Sequence, residues 1–216
     1  MHAKAIVADD HPLFRSALKH AVLSVLGDNI LESASFEETL DLLHLNQNIE
    51  LVFLDLNMPG NQGLTGLTVL RNNYPDVLVV IVSADERPDI IKRAIDFGSS
   101  GYIPKSTPLP TITQAVEQIL DGQIWVPEDM HNDVKQLNNS QYITFACRLE
   151  KLTPHQLKVL QLMADGLLNK QIAYELQVSE STIKQHVSAV LNKLGFNNRT
   201  QAGVMFKSVM STVEVG

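Results

Sequence analysis

The stretch ELVFLDLNMPG, residues 50 to 60, decides the fold. Leu51, Val52, Phe53 and Leu54 leave no polar side for water, as expected of a strand buried on both faces. Pro59 fixes its own backbone and Gly60 accepts conformations that side chains forbid, so the chain must turn there. Asp55 therefore stands where a strand leaves the core. Open α/β sheets bind ligands at the carboxyl ends of their strands, so the meaning of Asp55 depends on what the other strand ends carry.

Residues 3 to 8 form a second apolar run, broken only by Lys4, and it also ends in carboxylates, Asp9 and Asp10. His11-Pro12 opens a helix in which Leu13, Ala17, Leu18, Ala21 and Val25 recur at helical spacing, and Gly27 stops it. Ile30-Leu31 is a short strand, and Ser35 caps a helix with Phe36, Leu40 and Leu43 on its buried stripe. A helix over residues 64 to 73 follows, then the strand VLVVIV at 77 to 82, ending in Ser83. Ile90, Ile91, Ala94 and Ile95 mark another helix. Gly101-Tyr102-Ile103 is a fifth strand ending in Pro104-Lys105, and a helix over 109 to 120 closes the series. Five alternations of strand and helix predict a parallel sheet covered on both faces.

The tail of the chain is different. Residues 127 to 151 shift toward Asn, Gln, Asp and Ser, the composition of a linker, although Tyr142, Phe145, Ala146 and Leu149 keep helical spacing. From residue 152 on the signals are helical only. Thr153-Pro154 starts one helix and Asn169 a short second. After the tight turn Gln177-Val178-Ser179, a longer helix spans 180 to 194, and a fourth covers 199 to 210. Two helices around a three-residue turn have the spacing of a helix-turn-helix. Charge divides in the same way: residues 1 to 147 carry a balance of -10 and residues 148 to 216 one of +3, so only the second part suits nucleic acid. A lone cysteine, Cys147, demands no oxidising compartment, and neither a signal peptide nor a membrane-spanning run is present; a soluble cytoplasmic protein is expected. The seven histidines show no zinc-ligand spacing.

The strand ends together describe a chemistry. Three crowded carboxylates, Asp9, Asp10 and Asp55, repel one another, and a hard divalent cation with oxygen ligands, magnesium above all, relieves them. Such a cation prepares the site for phosphoryl transfer, with Asp55 attacking phosphorus while Lys105 and the Ser83 hydroxyl bind the other oxygens.

With ADD at 8 to 10, LDLNMPG at 54 to 60, VSA at 82 to 84 and GYIPK at 101 to 105, residues 3 to about 124 resemble the receiver domain of bacterial two-component response regulators. The resemblance implies a flavodoxin-like fold of strand order 2-1-3-4-5, with Asp55 as the phosphorylated residue. It implies magnesium bound by Asp10, Asp55 and the backbone carbonyl of Asn57, with Asp9 acting mainly through water, and Ser83 with Tyr102 as the switch pair. Many receivers follow this lysine with proline, but Ser106 stands here, so a cis bond after Lys105 is not expected.

Residues 152 to 202 resemble the LuxR-type DNA-binding domain, including NKQIA, STIKQHV and KLGFNNRTQA. The whole chain is thus similar to response regulators of the NarL/FixJ class, with a receiver at 1–126, a partly helical linker at 127–150 and a four-helix DNA-binding domain at 151–216. On the helix over 180 to 194, Ser181, Lys184, Gln185, Ser188 and Asn192 share the polar face, a pattern that any amphipathic helix can show. By analogy Lys184 and Gln185 read bases in the major groove of promoter DNA, with Ser188 at a neighbouring contact position usually held by a basic residue. Thr182, Lys193 and Arg199 are candidates for phosphate contact or local packing.

The implied mechanism is phosphorylation by a sensor histidine kinase followed by operator binding as a homodimer, the last helix joining the DNA-binding domains. The alternative is a phosphorylation-independent transcription factor using its receiver as a dimerisation module. An enzyme is not expected: a haloacid-dehalogenase-type phosphatase wants Asp where Asn57 stands, and no GxGxxG follows the first strand.

Overall fold

The computed structural model describes residues 4–137 and 140–212. Two compact units divide between Asn139 and Ser140, inside the segment expected as a linker. The first unit alternates strand and helix: β1 Lys4–Ala8, α1 Pro12–Leu26, β2 Ile30–Ser33, α2 Phe36–Leu45, β3 Ile49–Asp55, α3 Thr65–Asn73, β4 Leu78–Ser83, α4 Pro88–Asp96, β5 Gly101–Pro104 and α5 Leu109–Leu120. All strand pairs are parallel, in the order β2-β1-β3-β4-β5. Leu51 to Leu54 are all buried. Because side chains alternate across a strand, Leu51 and Phe53 join the core beneath α1 and α5, and Val52 and Leu54 serve the opposite face.

One detail of α1 departs from the expected stripe. Leu13 is 88 % exposed, while Leu18, Ala21, Val22 and Leu26 are buried. Leu13 lies in the first helical turn, whereas the buried positions begin one turn further on. In α2 the buried place predicted for Leu40 belongs instead to Thr39, whose hydroxyl is bonded to Ser33 Oγ at 2.8 Å.

After α5 the chain returns to the open side of β5. Tyr102 N donates to Trp125 O at 2.9 Å and Trp125 N to Ser100 O at 3.2 Å, which closes an edge that would otherwise present unpaired backbone groups. A short 3-10 turn, Glu128–Met130, and α6, His131–Gln136, end the unit.

The second unit is helical: α7 Ser140–Leu149, α8 Pro154–Ala164, α9 Asn169–Glu175, α10 Glu180–Leu194 and α11 Arg199–Met210. Its core joins Val159 and Met163 of α8, Ile172 and Ala173 of α9, and Ile183 of α10. Thr153 and Gln156 form a reciprocal capping box at the start of α8. The turn between α9 and α10 places Gln177 at φ 53, a left-handed conformation that side chains normally avoid. The helical spacing seen at 142 to 149 corresponds to α7, which packs against the end of α10. Phe145 meets Phe196 edge to face at 6.1 Å, and Arg148 Nη1 donates to Leu194 O at 2.7 Å. A guanidinium there satisfies a carbonyl that α10 leaves without a helical partner and complements the negative end of its dipole.

Candidate functional site

Sheet order positions the first site. The chain runs outward from β1 to β2, then crosses back to β3 on the other side of β1, so a crevice opens at the carboxyl ends of β1 and β3. Ala8 is level with Leu54 in the register, so Asp9 and Asp55 are the next residues on adjacent strands. Both are buried, at 2 % and 3 % exposure. Lys105, just beyond β5, spans them with Nζ 2.6 Å from Asp9 Oδ2 and 3.0 Å from Asp55 Oδ2. Its ammonium also lies 5.0 Å from the centre of the Phe14 ring.

Burial pushes the Asp55 carboxyl above its usual range; the Lys105 hydrogen bond and charge offset this only in part, and the charge of Asp9 adds to it. For Lys105 burial works against the charged form, yet its bonds to Asp9 and Asp55 prevail and raise its pKa. Asp10 and His11 complete the cluster. The ligand atoms of Asp9, Asp10, His11 and Asp55 all lie within 4.8 Å of one another. Asp9 Oδ2 and Asp10 Oδ1 are buried oxygens whose neighbours are ionic, Lys105 at 2.6 Å and His11 at 2.7 Å, with no further donor among the described residues. Excess carboxylate with open acceptor positions fits a hard divalent cation. Asn57 is exposed beside the pocket, and its backbone N donates to Asp55 Oδ1 at 3.3 Å.

Ser83 is fully buried at the end of β4, its hydroxyl accepting from Asp85 N at 3.1 Å. Tyr102 is also fully buried, and its hydroxyl donates to Asp85 O at 2.5 Å. Burial raises the Tyr102 pKa well beyond its usual range, so the phenol stays a donor. Asp85 is itself held by Arg87 through bonds of 3.0 and 2.7 Å. Ser106 Oγ donates to Glu86 Oε1 at 2.6 Å, tying the loop after β5 to the loop after β4. No peptide bond among the described residues is cis.

Sequence reasoning missed Asn61. It is 4 % exposed, donates to Asp55 O at 2.9 Å and Leu56 O at 3.2 Å, and accepts from Gly66 N at 2.7 Å. It thus holds the loop that carries Asp55. Its only signal was a polar residue between the turn glycines Gly60 and Gly63. Asn61→Ala removes the amide that ties Asp55 O and Gly66 N together, while Leu56 O keeps Gly63 N at 3.0 Å, and is expected to cost about 2–3 kcal/mol of stability, measured by urea unfolding.

The second candidate site is the outer face of α10. Lys184, Gln185 and Ser188 are exposed together with Ser181, and Lys184 pairs loosely with Glu180 at 3.0 Å. Thr182 lies at the helix start, where its N–H and hydroxyl meet Ser179 Oγ at 3.1 and 2.8 Å. Lys193 donates to Lys151 O at 2.8 Å and Gln156 Oε1 at 2.7 Å, and Arg199 to Leu167 O at 2.5 Å and Asn169 Oδ1 at 3.2 Å. Of the two roles expected for these cations, local packing is the one the structure displays. On α11, Val204 is 64 % exposed and Val209 is core.

A doubly wound sheet with an acid crevice, followed by a helix-turn-helix, defines a class of signal-controlled DNA-binding proteins. Residues 5–117 match the family described as Response regulator receiver domain, and residues 150–206 match Bacterial regulatory proteins, luxR family. The chain belongs to the bacterial response regulators whose output domain is of the luxR type. It is 44 % identical over 204 residues to a glycerol metabolism activator of Pseudomonas putida, covering 92 % of each chain. A nitrate/nitrite response regulator protein homolog of Haemophilus influenzae is 32 % identical, with 94 % of this chain and 95 % of that one covered. Among solved structures, the two-component response regulator RcsB in complex with DNA matches in fold at a TM-score of 0.60, with 21 % identity over 98 % of this chain and 100 % of that one. Among the described residues no helix is long and apolar enough to cross a membrane.

Proposed function

We propose that this response regulator is switched by phosphorylation of Asp55 by a sensor histidine kinase, and that the switched form binds promoter DNA as a homodimer. The observation that carries the reading is Asp55 itself, buried at the end of the central strand and in contact with the Lys105 ammonium. An Asp55 oxygen attacks the phosphorus of a phosphoimidazole; a P–O bond forms, the P–N bond breaks, and the imidazole leaves with the electron pair. Lys105 faces the charge that develops on the transferred group, and Ser83 supplies a hydroxyl toward it. Asp10, Asp55 and the Asn57 carbonyl would hold magnesium, with Asp9 behind them; bound there, the ion would neutralise phosphoryl oxygens. A hydroxyl drawn from Ser83 toward phosphate disturbs its bond with Asp85 N, and Asp85 is the residue that Tyr102 also holds. That chain of contacts supports Ser83 and Tyr102 as the switch pair.

For the output half, the exposed amide and ammonium of Gln185 and Lys184 suit base edges in a major groove, with Ser188 one turn further along. Thr182, Lys193 and Arg199 act by fixing the ends of α10 and α11. Val204 is the exposed apolar position of α11 and suits contact between two copies. Lys184→Ala is expected to weaken operator binding by about five- to a hundredfold at fixed salt if it reads a base. A phosphate contact would instead lower the salt slope by about one unit and spare sequence preference. Fluorescence anisotropy at several salt concentrations distinguishes them.

The reading as a whole is tested by incubating the protein with magnesium and a small acyl phosphate, then recording intact mass, size and affinity for selected operator DNA. The expected result is one added phosphoryl group, a shift toward dimer and tighter binding. A folded protein that gains no phosphoryl group yet binds operator as a dimer supports the phosphorylation-independent reading instead.

A further inference from the structure

The acid cluster contains one nitrogen donor. His11 Nδ1 lies 2.7 Å from Asp10 Oδ1 and 3.1 Å from Asp9 Oδ1. Neighbouring ligands on an octahedron with bonds of about 2.1 Å stand about 3.0 Å apart. The imidazole nitrogen therefore stands from each carboxylate oxygen at a distance that a hydrogen bond makes and that two adjacent ligands of one ion also make, with all the ligand atoms of the cluster within 4.8 Å of one another. Backbone geometry sets this position: His11 N donates to Asp9 Oδ1 at 2.8 Å, and Pro12 fixes the chain immediately afterward. The ring is 67 % exposed, so turning its lone pair toward an ion displaces no packed neighbour. Asp10 Oδ1 is buried and has no donor beyond the His11 ring among the described residues, so it keeps acceptor capacity for an ion, while Asp9 Oδ2 faces Lys105 at 2.6 Å.

We propose that His11 is a metal ligand that widens the cation choice of this pocket from magnesium to first-row transition metals. Magnesium takes oxygen and water and has little use for an imidazole. Nickel, cobalt and manganese accept imidazole beside carboxylate, with affinity rising toward nickel. The pocket then binds a transition ion through His11 Nδ1, Asp10 and Asp9 or Asp55, and the receiver becomes responsive to which divalent ion is present. This rests on the acid pocket being a divalent-cation site, as in the proposed function.

The test is calorimetric titration of the full-length protein with MgCl2 and with NiCl2, counting only nickel that excess magnesium displaces; this removes binding at surface histidines such as the stacked pair His155 and His186. In His11→Ala the ratio of nickel to magnesium affinity is expected to fall on the order of tenfold or more. His11→Asn separates the roles, because its amide can still donate a hydrogen bond to Asp10 but is a poor nitrogen ligand. Loss of the ratio in both variants supports ligation. An unchanged ratio in His11→Ala, or full rescue by His11→Asn, overturns the proposal. If magnesium binds and nickel ignores His11, only this inference falls; if the wild-type protein binds neither ion in a displaceable way, the reading of the pocket falls with it.

Discussion

Asp55→Asn is expected to take up no phosphoryl group from a small acyl phosphate in magnesium, where the wild-type chain is expected to gain one. An amide oxygen has neither the charge nor the nucleophilicity of a carboxylate, and on the proposed reading the remaining carboxylates of the cluster, Asp9 and Asp10, serve the cation. Intact-mass measurement reads the outcome directly, and phosphorylation of the variant would move the acceptor elsewhere. The same variant is expected to melt no lower than wild type without magnesium. The sign follows from burial, which raises the folded pKa of Asp55 above its unfolded value. A carboxyl shifted that way costs stability once the pH exceeds the unfolded value, so a neutral isostere relieves the fold near neutral pH. Thermal unfolding in a chelator checks this, and a large drop in Tm would show that charge on Asp55 supports the fold.

Lys105→Met has the opposite consequence. It leaves Asp9 and Asp55, both nearly inaccessible, facing each other without their shared ammonium. Removing one partner of a buried ionic set costs about 3–5 kcal/mol, and the lower end applies because Lys105 retains 17 % exposure. Magnesium that binds only the folded pocket, as proposed, would restore about 2.7 kcal/mol at a hundred times its Kd. Urea unfolding with and without magnesium therefore shows a wide gap for the variant. Equal stability in the two conditions would mean that the pocket relaxes by protonation and has no need of an ion. Phosphoryl uptake falls as well, since the cation facing the transferred group is gone.

How much of this was legible in the sequence depends on where each partner lies. Asp9, Asp55 and Lys105 were legible because a parallel sheet gathers all its strand ends on one edge, so apolar runs ending in charged residues announce a shared site. Leu13 marked its helix correctly but lies exposed, and Leu40 yielded its buried place to Thr39, because helical periodicity reports which face a residue is on and not how far the sheet beneath extends. Asn61 went unseen because its partners are backbone groups, which have no sequence signature. The same blindness covers Lys193 and Arg199. A cation that caps a neighbouring carbonyl and one that meets a DNA phosphate look alike in sequence, and the bonds to the carbonyls of Lys151 and Leu167 appeared only in three dimensions. The spacing at 142 to 149 gave α7, but its attachment through Arg148 to the end of α10 appeared only in three dimensions.

The return of the chain onto β5 has a spectroscopic consequence. Trp125 is the sole tryptophan in the protein, it is 9 % exposed, and its own backbone forms the bonds that seal the sheet edge. Its emission therefore reports on the first unit alone, while the circular dichroism of five further helices carries most of what the second unit contributes. Melting the intact chain with both signals at once separates the two units without cutting them apart, and a phosphodonor that steadies the receiver should move the fluorescence transition first.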